Sequence, residues 1–171
     1  MINISLTRGF ITCIDDEFKH LNQYKWCVTK SHSNTSIRYY AIRGIYLNGW
    51  QSTIILHRAI MELKLGRPLL KTEQIDHIDH DGLNNTLGNL RIATVSQNQM
   101  NSKKQARHTS SQYKGVTWHK RTSKWMTQIK LNGKTHYLGY FIYEEDAAHA
   151  VDAAAKKLFG PYAHLNFPEN A

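Results

Sequence analysis

Short runs of aromatic and β-branched residues, broken by turn-forming clusters, fill the first third of the chain: Phe10 to Ile14, Tyr24 to Val28, Arg38 to Ile42 and Ile45 to Leu47. Such runs favour extended backbone, because branched and aromatic side chains pack well on a pleated surface. Asn48-Gly49 then separates Leu47 from the run Trp50 to Ile55, a strong hairpin signal because both turn positions need positive φ. The pattern predicts a small antiparallel sheet. From Leu56 to Leu65 the period changes, with Leu56, Ala59, Ile60 and Leu63 near helical spacing, and Gly66-Arg67-Pro68 ends the predicted helix.

Glu73 to Ile78 reads as a strand, Asp79 to Asn89 as a loop rich in Asp, Gly and Asn, and Leu90 to Ala93 as a returning strand. Thr94 with Gln97 three residues on is a capping-box pattern that opens a helix through about Ser102. This is a hairpin crossed by a short helix, an arrangement in which Asp76 and His77 face Asn98. The polar stretch from Asn101 to Gln112 reads as a linker. Beyond it lie three strand candidates, Tyr113 to His119, Lys124 to Leu131 and Lys134 to Phe141, the last two joined by Asn132-Gly133. In the middle strand Trp125, Thr127, Ile129 and Leu131 share one side, with Lys124, Met126, Gln128 and Lys130 on the other. A closing helix runs from about Glu144 to Phe159, acidic in its first turn, basic in its last, with an alanine-rich stripe and a Gly160-Pro161 stop. The expected class is α+β: an N-terminal small antiparallel sheet and a ββα unit, followed by a three-stranded sheet packed on one helix.

Charge adds a partner to this picture. The 171 residues carry 22 Lys and Arg against 13 Asp and Glu, a formal net charge of +9. From Gly82 to Tyr143 there is no acid at all, while Arg91, Lys103, Lys104, Arg107, Lys114, Lys120, Arg121, Lys124, Lys130 and Lys134 fall there. That distribution is the electrostatic footprint of a protein that binds a polyanion such as duplex DNA. The two cysteines, Cys13 and Cys27, have no CxxC partner, which argues against a zinc ribbon or a disulfide framework and for thiols in a reducing compartment. No stretch reaches the roughly 20 apolar residues of a membrane span, and the first residues do not form a signal sequence, so no membrane partner and a cytoplasmic location are expected.

The candidate chemistry sits in Asp76-His77. Asp76 offers a hard anionic oxygen to a divalent cation, and His77 a nitrogen whose ordinary pKa of about 6.5 suits activation of a water near neutral pH. Phosphodiester hydrolysis needs both functions. Taken singly, Asp76 reads as a solvated turn carboxylate and His77 as a structural histidine; their adjacency within the larger pattern changes that reading. Arg91 reads equally as a phosphate contact and as a surface residue. Asp79, His80 and Asp81 read as a solvated loop, and the sequence leaves the role of His57 open.

Leu56-His57-Arg58, Asp76-His77-Ile78-Asp79, Asn84-Asn85, Asn89-Leu90 and Gln97-Asn98 together resemble the HNH endonucleases, also called His-Me finger or ββα-metal nucleases, and most of all their phage and intron-encoded homing branch. The resemblance implies His77 as general base, Asp76 and Asn98 as ligands of one divalent ion, magnesium or manganese, and Asn89 as the loop asparagine that braces the hairpin. Here the last motif letter is Asn rather than His. Further on, Tyr113 to Trp118, Lys124-Trp125, Leu138 to Phe141, Glu144 to Ala148, Asp152 and Leu165 to Pro168 resemble the Apetala/ERF-type DNA-binding domain of plant transcription factors. This implies that its sheet meets the major groove, with Lys114, His119, Lys120, Arg121, Lys124, Gln128, Lys130 and Lys134 as DNA contacts beside Arg91. This chain has Thr117 and His119 where the plant domain is richer in Arg, so a sheet relying on Lys contacts is expected to discriminate sequence less well.

The expected organisation is a nuclease domain over residues 1–105, with its N-terminal sheet in 1–55 and the ββα-metal motif in about 73–103, and a DNA-binding domain over 106–171. The expected activity is metal-dependent nicking or cleavage of double-stranded DNA by a homing-type enzyme, acting as a monomer in the cytoplasm, that of a bacterial host cell if it is phage-encoded. The alternative is a non-catalytic DNA-binding regulator whose nuclease fold has decayed.

Overall fold

The structure is a computed structural model that describes residues 1–33, 36–102, 104, 109–131 and 133–168; the side chains of residues 32, 33 and 36 are not described. Much of the linker expected between Asn101 and Gln112, and Asn132 of the last hairpin, lie outside the described residues. The chain is α+β and is built from several small antiparallel sheets and few helices. It divides into two compact units, Met1–Val95 and Ser96–Ala171.

The first unit opens with a hairpin of β1 (Ile2–Ser5) and β2 (Ile11–Ile14), followed by 3₁₀ turns over Asp16–Gln23. Of the runs expected to form one sheet, the later ones do, as β3 (Cys27–Ser33), β4 (Ser36–Leu47) and β5 (Trp50–Ile55) in that order, whereas the run from Phe10 to Ile14 pairs with β1 in the separate hairpin. The two runs read separately between Arg38 and Leu47 form one long strand, since Arg43 and Gly44 keep the ladder to β5. Asn48 and Gly49 take φ of 50° and 81°, as a tight hairpin requires. α1 (Leu56–Leu65) follows directly and stops at Gly66, whose φ of 65° ends the helix in the left-handed conformation. Ile4, Ile14, Leu56 and Ile60 are fully buried with Trp26, and each buried aliphatic side chain contributes about 1.5–3 kcal/mol through the water it leaves.

That core carries the motif hairpin, β6 (Gln74–His77) against β7 (Leu90–Ala93), with Asp76 opposite Arg91 and His77 opposite Leu90. Ile75 and Leu90 anchor it in the core.

The second unit begins with most of α2 (Val95–Met100), then β8 (Val116–His119), β9 (Lys124–Leu131) and β10 (Lys134–Phe141) in spatial order 10-9-8, and α3 (Glu144–Phe159). β8 starts later than the sequence pattern suggests, because Gly115 turns the chain at φ 79°. α3 packs on one sheet face, where Val116, Ala147, Ala148 and Val151 form a core closed by Trp125, Leu138 and Phe141. The small alanines bring helix and sheet close together. Asp152, buried on α3, accepts from the Asn166 and Phe167 amides and so fixes the chain's return over that core.

Contacts divide the chain at residue 95, about ten residues before the boundary of 105 that the sequence suggests. Part of the reason is Lys114, whose ammonium donates to Met100 O at 2.8 Å and Ser102 O at 2.7 Å. Those are the carbonyls a helix end leaves without partners, so α2 is capped from within the second unit.

Candidate functional site

In the first unit the long loop between β6 and β7 is held from three directions. Asn89 works from within: its side-chain amide donates to Asp79 Oδ1 at 2.9 Å and Asn84 O at 2.8 Å, while its Oδ1 accepts the Asp79 amide at 2.9 Å. Asp79 is the other half of this knot. Its carboxylate also accepts from the Asp81 amide and the Asn84 side chain, and Asp81 accepts from the Leu83 amide. Burial works to raise the Asp79 pKa, but these hydrogen bonds outweigh it and hold the group below its usual range. The acidic stretch that reads as a solvated loop therefore organises the backbone.

The second hold comes from the N-terminal hairpin. Cys13 N donates to Leu83 O, Asn85 N donates to Cys13 O, and the Thr12 hydroxyl donates to Leu83 O at 2.6 Å. The third is β4. A Cβ on Gly82 would meet the Tyr39 carbonyl oxygen and the Tyr40 ring, so the loop crosses this strand at a distance only glycine allows.

These supports converge on His77. Its Nε2 lies 3.3 Å from Asn85 Oδ1, and Asn85, at 0% exposure, turns its amide nitrogen to Thr12 Oγ1 at 2.7 Å. Because Thr12 spends its only hydroxyl proton on Leu83 O, its oxygen accepts from Asn85, and the Asn85 oxygen must then accept from His77. The chain of donors places the His77 proton on Nε2. Burial lowers the His77 pKa, opposed by the Asn85 bond and by Asp79, Asp76 and Asp81. The ring is thus biased to its neutral, proton-accepting form.

His57 packs edge-on against His77, with ring centroids 5.0 Å apart, and against Tyr40 at 5.5 Å. Burial, together with His77 and Arg58, lowers its pKa to about 3, so near neutral pH it is an uncharged packing group.

Asp76 is 4% exposed, and its Oδ2 accepts from Arg91 Nε at 2.8 Å and Nη2 at 2.7 Å. A buried carboxylate is tolerated when so paired, and removal of one partner of such a pair costs on the order of 3–5 kcal/mol. Asp76, His77, Asn89 and Arg91 are thus gathered in one unit, while Asn98 lies on α2 within the other. Among the described residues, no three His, Cys, Asp or Glu side chains cluster as a metal cage. A carboxylate such as Asp76 is a hard oxygen donor of the kind that suits a divalent cation.

In the second unit, the sheet face away from α3 carries the positions expected to be wet. Cross-strand pairing puts His119 with Lys124, Met126 with Thr117 and Tyr140, Gln128 with Tyr137, and Lys130 with Thr135. Tyr137 is 70% exposed, and neither it nor Tyr140 stands out in the sequence pattern; only the strand register places them beside Gln128 and Met126. Trp125 is on the core side, as the alternation suggests, and meets Trp118 at 5.0 Å. Lys120 and Arg121 sit in the turn from β8 to β9, and Lys134 opens β10. Lys114 differs from the other expected DNA contacts. Its ammonium is committed to the carbonyls near the end of α2, and burial lowers its pKa to about 8.

No helix among the described residues is long and apolar enough to cross a membrane, and Cys13 and Cys27 are half-buried free thiols.

Comparison with known proteins agrees with both halves of this architecture. Residues 55–100 match the HNH endonuclease family model, and residues 111–161 match that of the AP2 domain. The second match covers the three strands and all of α3. An AP2-type relative, dehydration-responsive element-binding protein 2D of Arabidopsis thaliana, is 44% identical over 68 residues, 37% of this chain and 31% of that protein. Protein 3.8 of Escherichia phage T7 is 39% identical over 69 residues, 40% of this chain and 56% of that one. A much longer match, 33% identical over 151 residues, covers 88% of this chain and 71% of a protein of Acanthamoeba polyphaga mimivirus named as an uncharacterized HNH endonuclease. With that extent of shared sequence and the motif hairpin in its core, the chain belongs to the HNH endonuclease family and carries an AP2 domain in its second unit.

Proposed function

We propose that the protein is a metal-dependent, homing-type endonuclease that nicks or cleaves double-stranded DNA by phosphodiester hydrolysis. The observation that carries this reading is the ordered donor chain from His77 through Asn85 to Thr12, next to the Asp76–Arg91 pair. With its proton fixed on Nε2, His77 has Nδ1 as its basic nitrogen, able to take a proton from an attacking water. Asn89 holds the loop that carries Asn85, so its part is positional. Asp76 would hold a magnesium or manganese ion, with Asn98 as the second ligand that the family motif implies. When bound, that ion supplies charge neutralisation at the scissile phosphate and the leaving oxygen.

The AP2 unit brings DNA to this centre. Its open face and rim offer His119, Lys120, Arg121, Lys124, Gln128, Lys130 and Lys134, and the 82–143 segment holds no carboxylate to repel phosphate. Arg91 serves the centre first as the counter-ion of Asp76. In this reading the chain acts as a monomer in the cytoplasm, that of a bacterial host cell if it is phage-encoded.

The test is nicking of supercoiled plasmid by the full chain, with magnesium or manganese added and then removed by chelation. Relaxed or linear DNA that forms only with metal is the expected result. Tight DNA binding with no cleavage under any divalent ion would overturn the reading in favour of a DNA-binding regulator built on a decayed nuclease fold.

A further inference from the structure

The open face of the AP2 sheet has an unusual balance of side chains. Its centre is neutral: Gln128 paired with Tyr137, and Met126 between Thr117 and Tyr140. Its positive charge is confined to Lys124 and Lys130 at the two ends of β9, with the half-buried His119 beside Lys124. No arginine and no carboxylate lies among these strand positions.

That inventory has a meaning in the code of the major groove. Guanine offers two acceptors, best matched by the rigid fork of arginine; adenine offers one acceptor and one donor, matched by a glutamine or asparagine amide; thymine adds a methyl group that seeks apolar contact. Lysine is a mobile point charge that any phosphate satisfies, so Lys124 and Lys130 contribute affinity more than discrimination. The discriminating groups left at the centre are the Gln128 amide, the Thr117 methyl and the Met126 side chain.

Resting on the reading of this face as the DNA-binding surface, we propose that it selects sites containing A·T pairs, with Gln128 reading adenine and the Thr117–Met126 pair contacting a thymine methyl. Met126 and Gln128 are two residues apart on the same face, about 7 Å at ~3.4 Å per residue. That is roughly two base-pair rises. With β9 following the groove, the adenine and the thymine fall about two steps apart. Tyr137 lies directly opposite Gln128 on the neighbouring strand.

The experiment is selection of bound duplexes from a library with a random core, using the full chain in chelator so that no strand is cut. The bound cores should be enriched in A·T pairs, with an adenine and a thymine about two steps apart. Gln128→Ala should remove the adenine preference and weaken the best duplex by roughly tenfold, while affinity for a duplex of G·C pairs alone stays the same. Gln128→Arg should move the preference at that step to guanine. An unchanged melting temperature in both variants excludes misfolding as the cause. Guanine-rich cores selected by the wild-type chain, or equal weakening of A·T and G·C duplexes by Gln128→Ala, would overturn the proposal. Neither result depends on cleavage, so loss of the nuclease reading and loss of this one are separately visible. If Lys124→Gln leaves affinity for every duplex unchanged, the face is not the DNA-binding surface and both the proposal and that part of the functional reading fall.

Discussion

His77 shows how a common side chain acquires a defined role from its neighbours. Its tautomer is set by an amide whose other end is held by Thr12, a hydroxyl far away in sequence. His77→Ala should therefore lower nicking by about 10²–10⁴ while DNA affinity is retained, the range common for loss of a general base. Asn85→Ala should lose much of the same rate, and Asn85→Asp, which keeps the acceptor oxygen, should recover part of it; single-turnover nicking on saturating DNA measures both. Equal rates in Asn85→Ala and wild type would remove the donor chain from the mechanism. His57 supplies a different test. Its folded pKa of about 3 lies below the unfolded value of 6.5, so the unfolded chain takes up a proton first as pH falls. Stability from this group is fully present above pH 6.5 and is lost progressively down toward pH 3. The melting temperature of the wild type should fall between pH 7 and pH 5, and that of His57→Phe should fall less. A drop of the same size in the variant would show that His57 titrates freely.

The elements show where local sequence suffices. α1, β9, β10 and α3 begin and end where the pattern of apolar residues, glycine stops and charged turns indicates. β8 is shorter than its pattern because Gly115 carries a requirement that periodicity does not express. A Cβ there would lie 2.8 Å from Gln128 O and 2.9 Å from Val151 Cγ1, at a φ that side chains rarely adopt. Gly115→Ala should cost about 1–3 kcal/mol from overpacking, with a further ~1 kcal/mol for the left-handed backbone. The outcome would be a lower melting transition of the second unit and weaker DNA binding; an unchanged melting temperature would mean that β8 and α3 pack more loosely than their contacts suggest. The motif loop is the counterpart in the first unit. Asn89 is legible in sequence as a brace, whereas Asp79 is not legible as its partner, because a loop carboxylate looks solvated until the amides it accepts from are in place.

For the whole molecule, the +9 charge predicts salt-sensitive binding, and the structure predicts which cations produce it. Each phosphate contact adds about 0.9 to the slope of log affinity against log salt. Replacement of Lys120, Arg121, Lys124, Lys130 and Lys134 by glutamine should flatten that slope by as much as ~4.5 and raise the apparent Kd, with the nicking rate at saturating DNA kept. Lys114→Met should leave the slope unchanged and lower the melting temperature instead, since its ammonium holds α2 and not phosphate. A slope reduced by about one in Lys114→Met would return this lysine to the DNA contacts that the sequence suggests.

The sequence by itself determined the α+β class, most element boundaries, the basic character of residues 82–143, and the adjacency of Asp76 and His77. These follow from short-range periodicity, glycine and capping chemistry, charge composition and motif spacing, each of which operates within a few tens of residues. Tertiary structure alone decided the rest. It enlisted Thr12 and Asn85 behind His77, paired Arg91 with Asp76, turned Lys114 to the end of α2, and placed Tyr137 and Tyr140 on the open sheet face. Each of those outcomes depends on which donor finds which acceptor once the chain has folded, 73 residues apart for Asn85 and Thr12 and 12 to 15 apart for Lys114 and Arg91, or on strand register. A buried polar group left without a partner costs on the order of 1–3 kcal/mol, enough to select one arrangement, yet its partner lies beyond the reach of any local pattern.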